Sequence, residues 1–279
     1  MKKWMLNALI IFFSVVLVCS TSYVGWYLWT SQKEAGRYED LAAMVEAPTR
    51  PVIREEQQAE GSAPTEPTEV TTPPDLLVEV TNSKGQPVTV MYQFAELYQL
   101  NNDLVGWLSI PGTNIDYPVM QTPSKKDYYL KRNFDKKYAA QGCLYARESC
   151  DVFTPGDNVT IYGHRMKDRS MFAQLDQYLK KDFFLSNPYI YFDNLQQMHT
   201  YKVMAVFTTS ANPGEGFAYH LFEEAATQAE FDEFVSTCKK LSIYNTGVDA
   251  RWGDKLITLS TCEYTKDNGR LVVVAKMVG

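Results

Sequence analysis

The chain has 279 residues, 45% hydrophobic and 22% charged, which is ordinary globular composition and enough for one sizeable domain with additions. Its net charge of −6 argues against a nucleic-acid partner, because phosphates favour a basic surface. No Walker loop, Rossmann glycine fingerprint or zinc-type CxxC pair occurs, and the sequence calls for no cofactor and no metal.

Lys2 and Lys3 precede an uncharged, mainly apolar stretch from Trp4 to Thr30. Crossing a bilayer takes roughly 20 apolar residues, so this stretch is long enough. Trp26, Tyr27 and Trp29 suit the far interface, and the two lysines favour an N-terminus left in the cytoplasm. A cleavable signal peptide is the competing reading, but its apolar core is usually shorter and ends in small residues. Val16, Leu17 and Val18 ahead of Cys19 also lack the small residues of a lipoprotein signal. Length and flanks predict an uncleaved anchor over residues 1–30, in a single-pass cell-membrane protein whose remaining chain is extracellular.

Ser31 to Glu46 is polar and suits a short helix. Ala47 to Asp75 is rich in Pro, Glu and Thr and has too little apolar surface to order itself. Residues 31–75 therefore read as a solvated spacer, and the folded domain is expected over residues 76–279.

Within the domain, Phe94, Leu97, Tyr98 and Leu100 recur at helical spacing between Tyr92 and Leu104. Val105–Ile110 and Ile115–Met120 read as strands around the turn signal Pro111-Gly112-Thr113-Asn114. Cys143–Arg147 and Asn158–Tyr162 are further strand candidates. Met171–Leu179 suits a helix with Met171, Phe172, Leu175, Tyr178 and Leu179 on one face. Tyr189–Phe192 and Tyr201–Thr208 read as strands. Glu223–Leu241 is the clearest helix, with Phe231, Phe234, Val235, Cys238 and Leu241 in one apolar stripe. Leu256–Ser260 and Leu271–Val278 close the chain as apolar strands. The pattern predicts a mainly β domain with a few peripheral helices.

Five cysteines occur, with Cys19 inside the apolar segment. An oxidising exterior would allow two disulfides among Cys143, Cys150, Cys238 and Cys262, but the spacing forms no dense framework. At least one thiol is then available for chemistry. Cys262 follows the apolar run Leu256 to Thr261 and precedes a polar one, so it sits at a strand end, exposed yet held. If the last two strands pair, Arg270 comes close to it, where a guanidinium stabilises a thiolate or an oxyanion. Taken alone, the same residues read more readily as a buried cysteine in a hairpin with a surface arginine. His164 adds weight: it follows the strand Val159–Tyr162 and Gly163, and a histidine there suits acid–base work. His199 and His220 lie in less pointed contexts and are assigned no task.

Thr258-Leu259-Ser260-Thr261-Cys262, with Arg270 and the run Leu271 to Lys276, resembles the C-terminal signature of sortases, those of class B in particular. Tyr162-Gly163-His164 resembles their histidine motif. Asn102 to Trp107 with Pro111 to Val119 resembles the start of their barrel. The likeness covers residues 92–279, and a long helix before the cysteine strand fits class B. It implies a closed eight-stranded sortase-type β-barrel with peripheral helices behind the transmembrane helix. It also implies a cysteine transpeptidase of Gram-positive bacteria. Its partners would be secreted proteins carrying a C-terminal sorting signal, and an amine from a peptidoglycan precursor or, in pilin-joining members, from a pilin lysine. By the same likeness Cys262 is the nucleophile, His164 the acid and base, and Arg270 the holder of the oxyanion. Ser260 and Glu263 flank the nucleophile and touch substrate, and Leu130 and Ser210 shape the peptide groove.

Two rivals remain in view. A papain-like wall hydrolase would place its cysteine on a helix N-terminus ahead of the histidine, whereas here the order is reversed. A non-catalytic, membrane-tethered surface binding domain would make Cys262 structural.

Overall fold

The computed structural model describes residues 3–45, 76–212, 214–263 and 268–279. They form two compact units, an N-terminal helix and the domain that follows it. Most of the expected spacer, residues 46–75, lies outside the described residues.

The N-terminal helix, α1, spans Lys3–Ala43. At 1.5 Å per residue it is about 60 Å long, well beyond the roughly 30 Å hydrocarbon layer. It is the one described helix long and apolar enough to cross a membrane. The polar stretch after residue 30, read as a separate short helix, continues the same helix to Ala43. Gln32, Lys33, Glu34 and Ala35 are good helix formers, and no proline occurs before Pro48. Its two threonine hydroxyls are satisfied internally: Thr21 donates to the carbonyls of Leu17 and Val18, and Thr30 to those of Trp26 and Tyr27. A helix in lipid needs that economy.

The domain opens with a hairpin that the sequence reading did not assign, β1 (Leu77–Thr81) and β2 (Pro87–Met91). Its turn is an Asn device, with the Asn82 carboxamide accepting from the backbone N–H of Lys84 and of Gln86. A short α2 (Ala95–Leu100) then leads into the barrel. Eight strands close it: β3 (Leu104–Ser109), β4 (Asp116–Met120), β5 (Leu144–Ala146), β6 (Asn158–Tyr162), β7 (Tyr189–Asn194), β8 (Thr200–Ser210), β9 (Leu256–Glu263) and β10 (Gly269–Met277). Their order around the barrel is β10-β8-β7-β3-β4-β5-β6-β9. Closure leaves no open edge. Most pairs are antiparallel, but β4–β5 and β6–β9 are parallel.

The segment read as a helix over Met171–Leu179 is a 3-10 helix, Phe172–Leu179, and Leu179 is exposed instead of sharing the buried face. A short α3 (Lys181–Ser186) follows directly. The helix expected from Glu223 begins later, as α4 (Gln228–Leu241). The reason is local. The Glu223 carbonyl accepts from the N–H groups of Asp157 and Asn158. Its carboxylate pairs with Arg147 at 2.8 Å. Glu223 thus tethers the start of β6 and is unavailable for a helical turn. Thr227 caps α4, its hydroxyl accepting from the Glu230 N–H.

One face of α4 packs Phe231, Phe234, Val235 and Cys238 against Phe207, Val272 and Val274 of the barrel wall. Leu241, expected in that stripe, is exposed instead. Phe222 stacks on Phe234 with ring centroids 3.9 Å apart. Phe231 is fully buried in this cluster. Phe231→Ala should therefore lower unfolding stability by about 3–5 kcal/mol, measured by denaturant titration of the domain.

Candidate active site

The site is built on the registers of β9. On one side β9 runs parallel to β6, with Tyr162 beside Ser260, and on the other antiparallel to β10, with Arg270 opposite Cys262. His164 lies two residues past Tyr162, and Cys262 two past Ser260, so the two sit level at the same barrel end. The parallel ladder continues beyond the strand ends: the Gly163 N–H donates to the Ser260 carbonyl, and the Thr261 hydroxyl to the Gly163 carbonyl at 2.8 Å. Gly163 has no room for a side chain, since a Cβ would lie 2.4 Å from a Leu144 methyl and 2.7 Å from the Phe172 ring.

Cys262, His164 and Arg270 line one cleft of about 320 Å³. Cys262 is half-buried, whereas Cys143, Cys150 and Cys238 are buried, and none of the four is in a disulfide. Burial pushes the Cys150 thiol up to about 11, and the Cys238 thiol higher still. His164 Nε2 lies 2.7 Å from the Leu130 carbonyl oxygen. The Arg270 guanidinium donates through Nη1 to the carbonyls of Gly269, at 2.9 Å, and Asn268. Those two bonds use one nitrogen of a five-donor fork.

Leu130, on the 3-10 turn Tyr128–Lys131, and Ser260 line the same cleft. The Ser260 hydroxyl is engaged by the Tyr219 hydroxyl at 2.6 Å. Ser210 stands apart from that lining, at the end of β8 opposite Gly269, with its hydroxyl on Glu215. The Glu263 backbone pairs with Gly269, while its side chain lies outside the described residues.

His220, which the sequence reading assigned no task, lines the wall from the 3-10 turn Tyr219–Leu221, with Lys126, Arg147, Asp127 and Glu148 adding charges of both signs; Tyr219 lies buried beneath it. Burial lowers the His220 pKa first, and Arg147, Lys126 and Arg270 lower it further, so this imidazole is mainly neutral at pH 7. Burial likewise raises the Tyr219 phenol, which the Ser260 hydrogen bond and Arg270 partly offset. Nothing local in the sequence signals these roles, because the turn reaches the cleft only through tertiary packing.

Residues 108–278 match the family model described as the Sortase domain. Sortase B of Listeria monocytogenes is 34% identical over 200 residues, 71% of this chain and 78% of the relative. A crystal structure of sortase B from Bacillus anthracis aligns with a TM-score of 0.61 at 33% identity, over 73% of this chain and 90% of that one. The Staphylococcus aureus sortase B–substrate complex aligns with a TM-score of 0.62 at 30% identity, over 68% of this chain and 86% of that one.

The burial contrast among the thiols sets a labelling result. A membrane-impermeant methanethiosulfonate at pH 8 should modify Cys262 first, because the other three domain thiols are buried and Cys150 stays protonated until about pH 11. Mass mapping of the labelled peptide reads the outcome, and faster labelling of Cys143 or Cys150 would contradict it.

Proposed function

The chain belongs to the sortase family, in its class B branch, and on that premise we propose a membrane-tethered transpeptidase that joins secreted proteins to an amine of the cell wall. The observation that supports this most is the common cleft of Cys262, Arg270 and His164 at the ends of three adjacent strands. Sortases are cysteine transpeptidases, and this cleft holds a half-buried thiol, an imidazole and a guanidinium.

In this reading His164 holds the proton of the Cys262 thiol, and the resulting thiolate attacks a backbone carbonyl in a C-terminal sorting signal. The electron pair of that carbonyl moves to oxygen, and Arg270 donates to the resulting oxyanion. Collapse breaks the C–N bond, His164 gives its proton to the departing amine, and a thioester to Cys262 remains. The acceptor amine then attacks the thioester carbon. His164 takes the proton of that amine, and Cys262 leaves as thiolate. A peptidoglycan cross-bridge is the proposed source of the amine. Leu130 and Ser260 contact the sorting peptide, with Glu263 and Ser210 at its margins. The S. aureus relative has been solved as a substrate complex, which supports substrate binding by this fold.

Residues 1–30 serve as the anchor with Lys2 and Lys3 in the cytoplasm, residues 31–75 as the spacer, and residues 76–279 as the extracellular catalytic domain. Protease treatment of intact protoplasts should release the domain and leave a membrane-bound fragment that begins at the N-terminus. A mature protein starting near residue 20 would contradict the anchor.

The chemical test is a single-turnover assay on a sorting-signal peptide library, with intact-mass detection of the thioester. Cys262→Ala should abolish both the adduct and the transfer while retaining the folded spectrum. Arg270→Lys should lose on the order of 100- to 1000-fold in acylation rate, because a flexible ammonium lacks the planar fork. Turnover by the Cys262→Ala variant would overturn the assignment.

A further inference from the structure

This inference rests on the reading of His164 as the acid–base group and concerns how its ring is held. An imidazole works as a proton carrier only when the nitrogen facing the reaction is defined, and the hydrogen bond at the other nitrogen defines it. In serine-protease-type triads a carboxylate makes that bond. Here the partner is a main-chain carbonyl. His164 Nε2 is 2.7 Å from the Leu130 oxygen, the one ring partner it has among the described residues. A carbonyl only accepts, so Nε2 must carry a hydrogen in the neutral ring as well as in the charged one.

The turn that carries the Leu130 carbonyl is fixed from two directions. Its turn, Tyr128–Lys131, is anchored by the buried Tyr129, whose hydroxyl donates to Asp103 at 2.8 Å and accepts from Asn101. The Cys143 N–H donates to the neighbouring Tyr129 carbonyl at 3.1 Å. Between Cys143 and that turn stands Gly142. Its φ is +58, a left-handed conformation that favours glycine. A Cβ there would lie 2.5 Å from the Leu130 oxygen, 2.4 Å from the Tyr129 oxygen and 2.9 Å from the Leu130 carbonyl carbon. All three are backbone atoms, which cannot swing aside as a flexible side chain can.

We propose that the Leu130 carbonyl holds neutral His164 in the Nε2–H tautomer, leaving Nδ1 to exchange protons in the cleft, and that Gly142 is the positioning residue that keeps this carbonyl in place. The substrate-facing proton acceptor is then Nδ1 of His164. Because the orienting group is uncharged, it directs the ring without neutralising the imidazolium.

The test is ¹⁵N NMR of the full-length chain in detergent micelles, labelled at histidine. The chain has three histidines, and loss of one signal set in His164→Gln assigns the residue. In the neutral ring, His164 should show a protonated Nε2 and an unprotonated Nδ1. Gly142→Ala should move both nitrogens toward a tautomer average. It should also slow peptide cleavage about 100-fold, the cost of a roughly 1 Å misplacement. A protonated Nδ1 in the parent protein overturns the proposal, as does a folded Gly142→Ala with parental nitrogen shifts and turnover. Should Gly142→Ala not fold, the parent spectrum decides alone. A parent with the Nε2–H tautomer that cleaves no peptide would refute the transpeptidase reading and leave the tautomer assignment standing.

Discussion

Strand β9 has a parallel neighbour on one side and an antiparallel one on the other, and the site depends on both registers at once. A slip of one residue against either neighbour would turn every side chain to the opposite face. Buried polar groups hold the parallel side. The Thr258 hydroxyl donates to the Asn158 carboxamide oxygen at 2.8 Å, and the Asn158 amide nitrogen donates to the Phe222 carbonyl. These groups lie away from water and are mutually satisfied, so a shifted register would strand each of them at a cost of about 1–3 kcal/mol. The hydrogen bonds of Gly163 and Thr261 extend the same lock to the residues that flank His164 and Cys262.

The connection between β8 and β9 adds a second layer. It carries α4, whose aromatic face is buried on the barrel, and it sends Tyr219 underneath the cleft to the Ser260 hydroxyl. Glu223 ties the same connection to Arg147 and to the start of β6. One connection therefore touches β6 at its beginning and β9 near its end. The floor of the cleft is set by packing over α4 as much as by the barrel ladder.

Much of this architecture could be read from the residues. Asn158–Tyr162 was delimited as observed, and the last two strands were placed within a few residues, because continuous β-branched runs bounded by polar segments give clear signals. The pairing of Arg270 with Cys262 also followed from a short hairpin. Other elements were hidden for physical reasons. The β1–β2 hairpin alternates Val with polar residues on a half-exposed surface, so its apolar signal is weak. The start of α4 was set by the tertiary demands on Glu223, although propensity favoured an earlier one. The polar continuation of α1 reads as a separate element only if hydrophobicity is mistaken for helicity. Motif likeness pointed to Leu130 but not to its backbone oxygen, and His220 reaches the cleft only through tertiary packing.

The β6–β9 seam joins residues 100 apart in the sequence, as the Thr258–Asn158 bond records. Contacts of such separation form late, because loop-closure entropy is lost before they give anything back. His164 therefore meets Cys262 only when that seam closes, whereas Arg270 and Cys262 face each other within one local hairpin. In the proposed mechanism, closing this seam is also the step that brings the imidazole to the thiol.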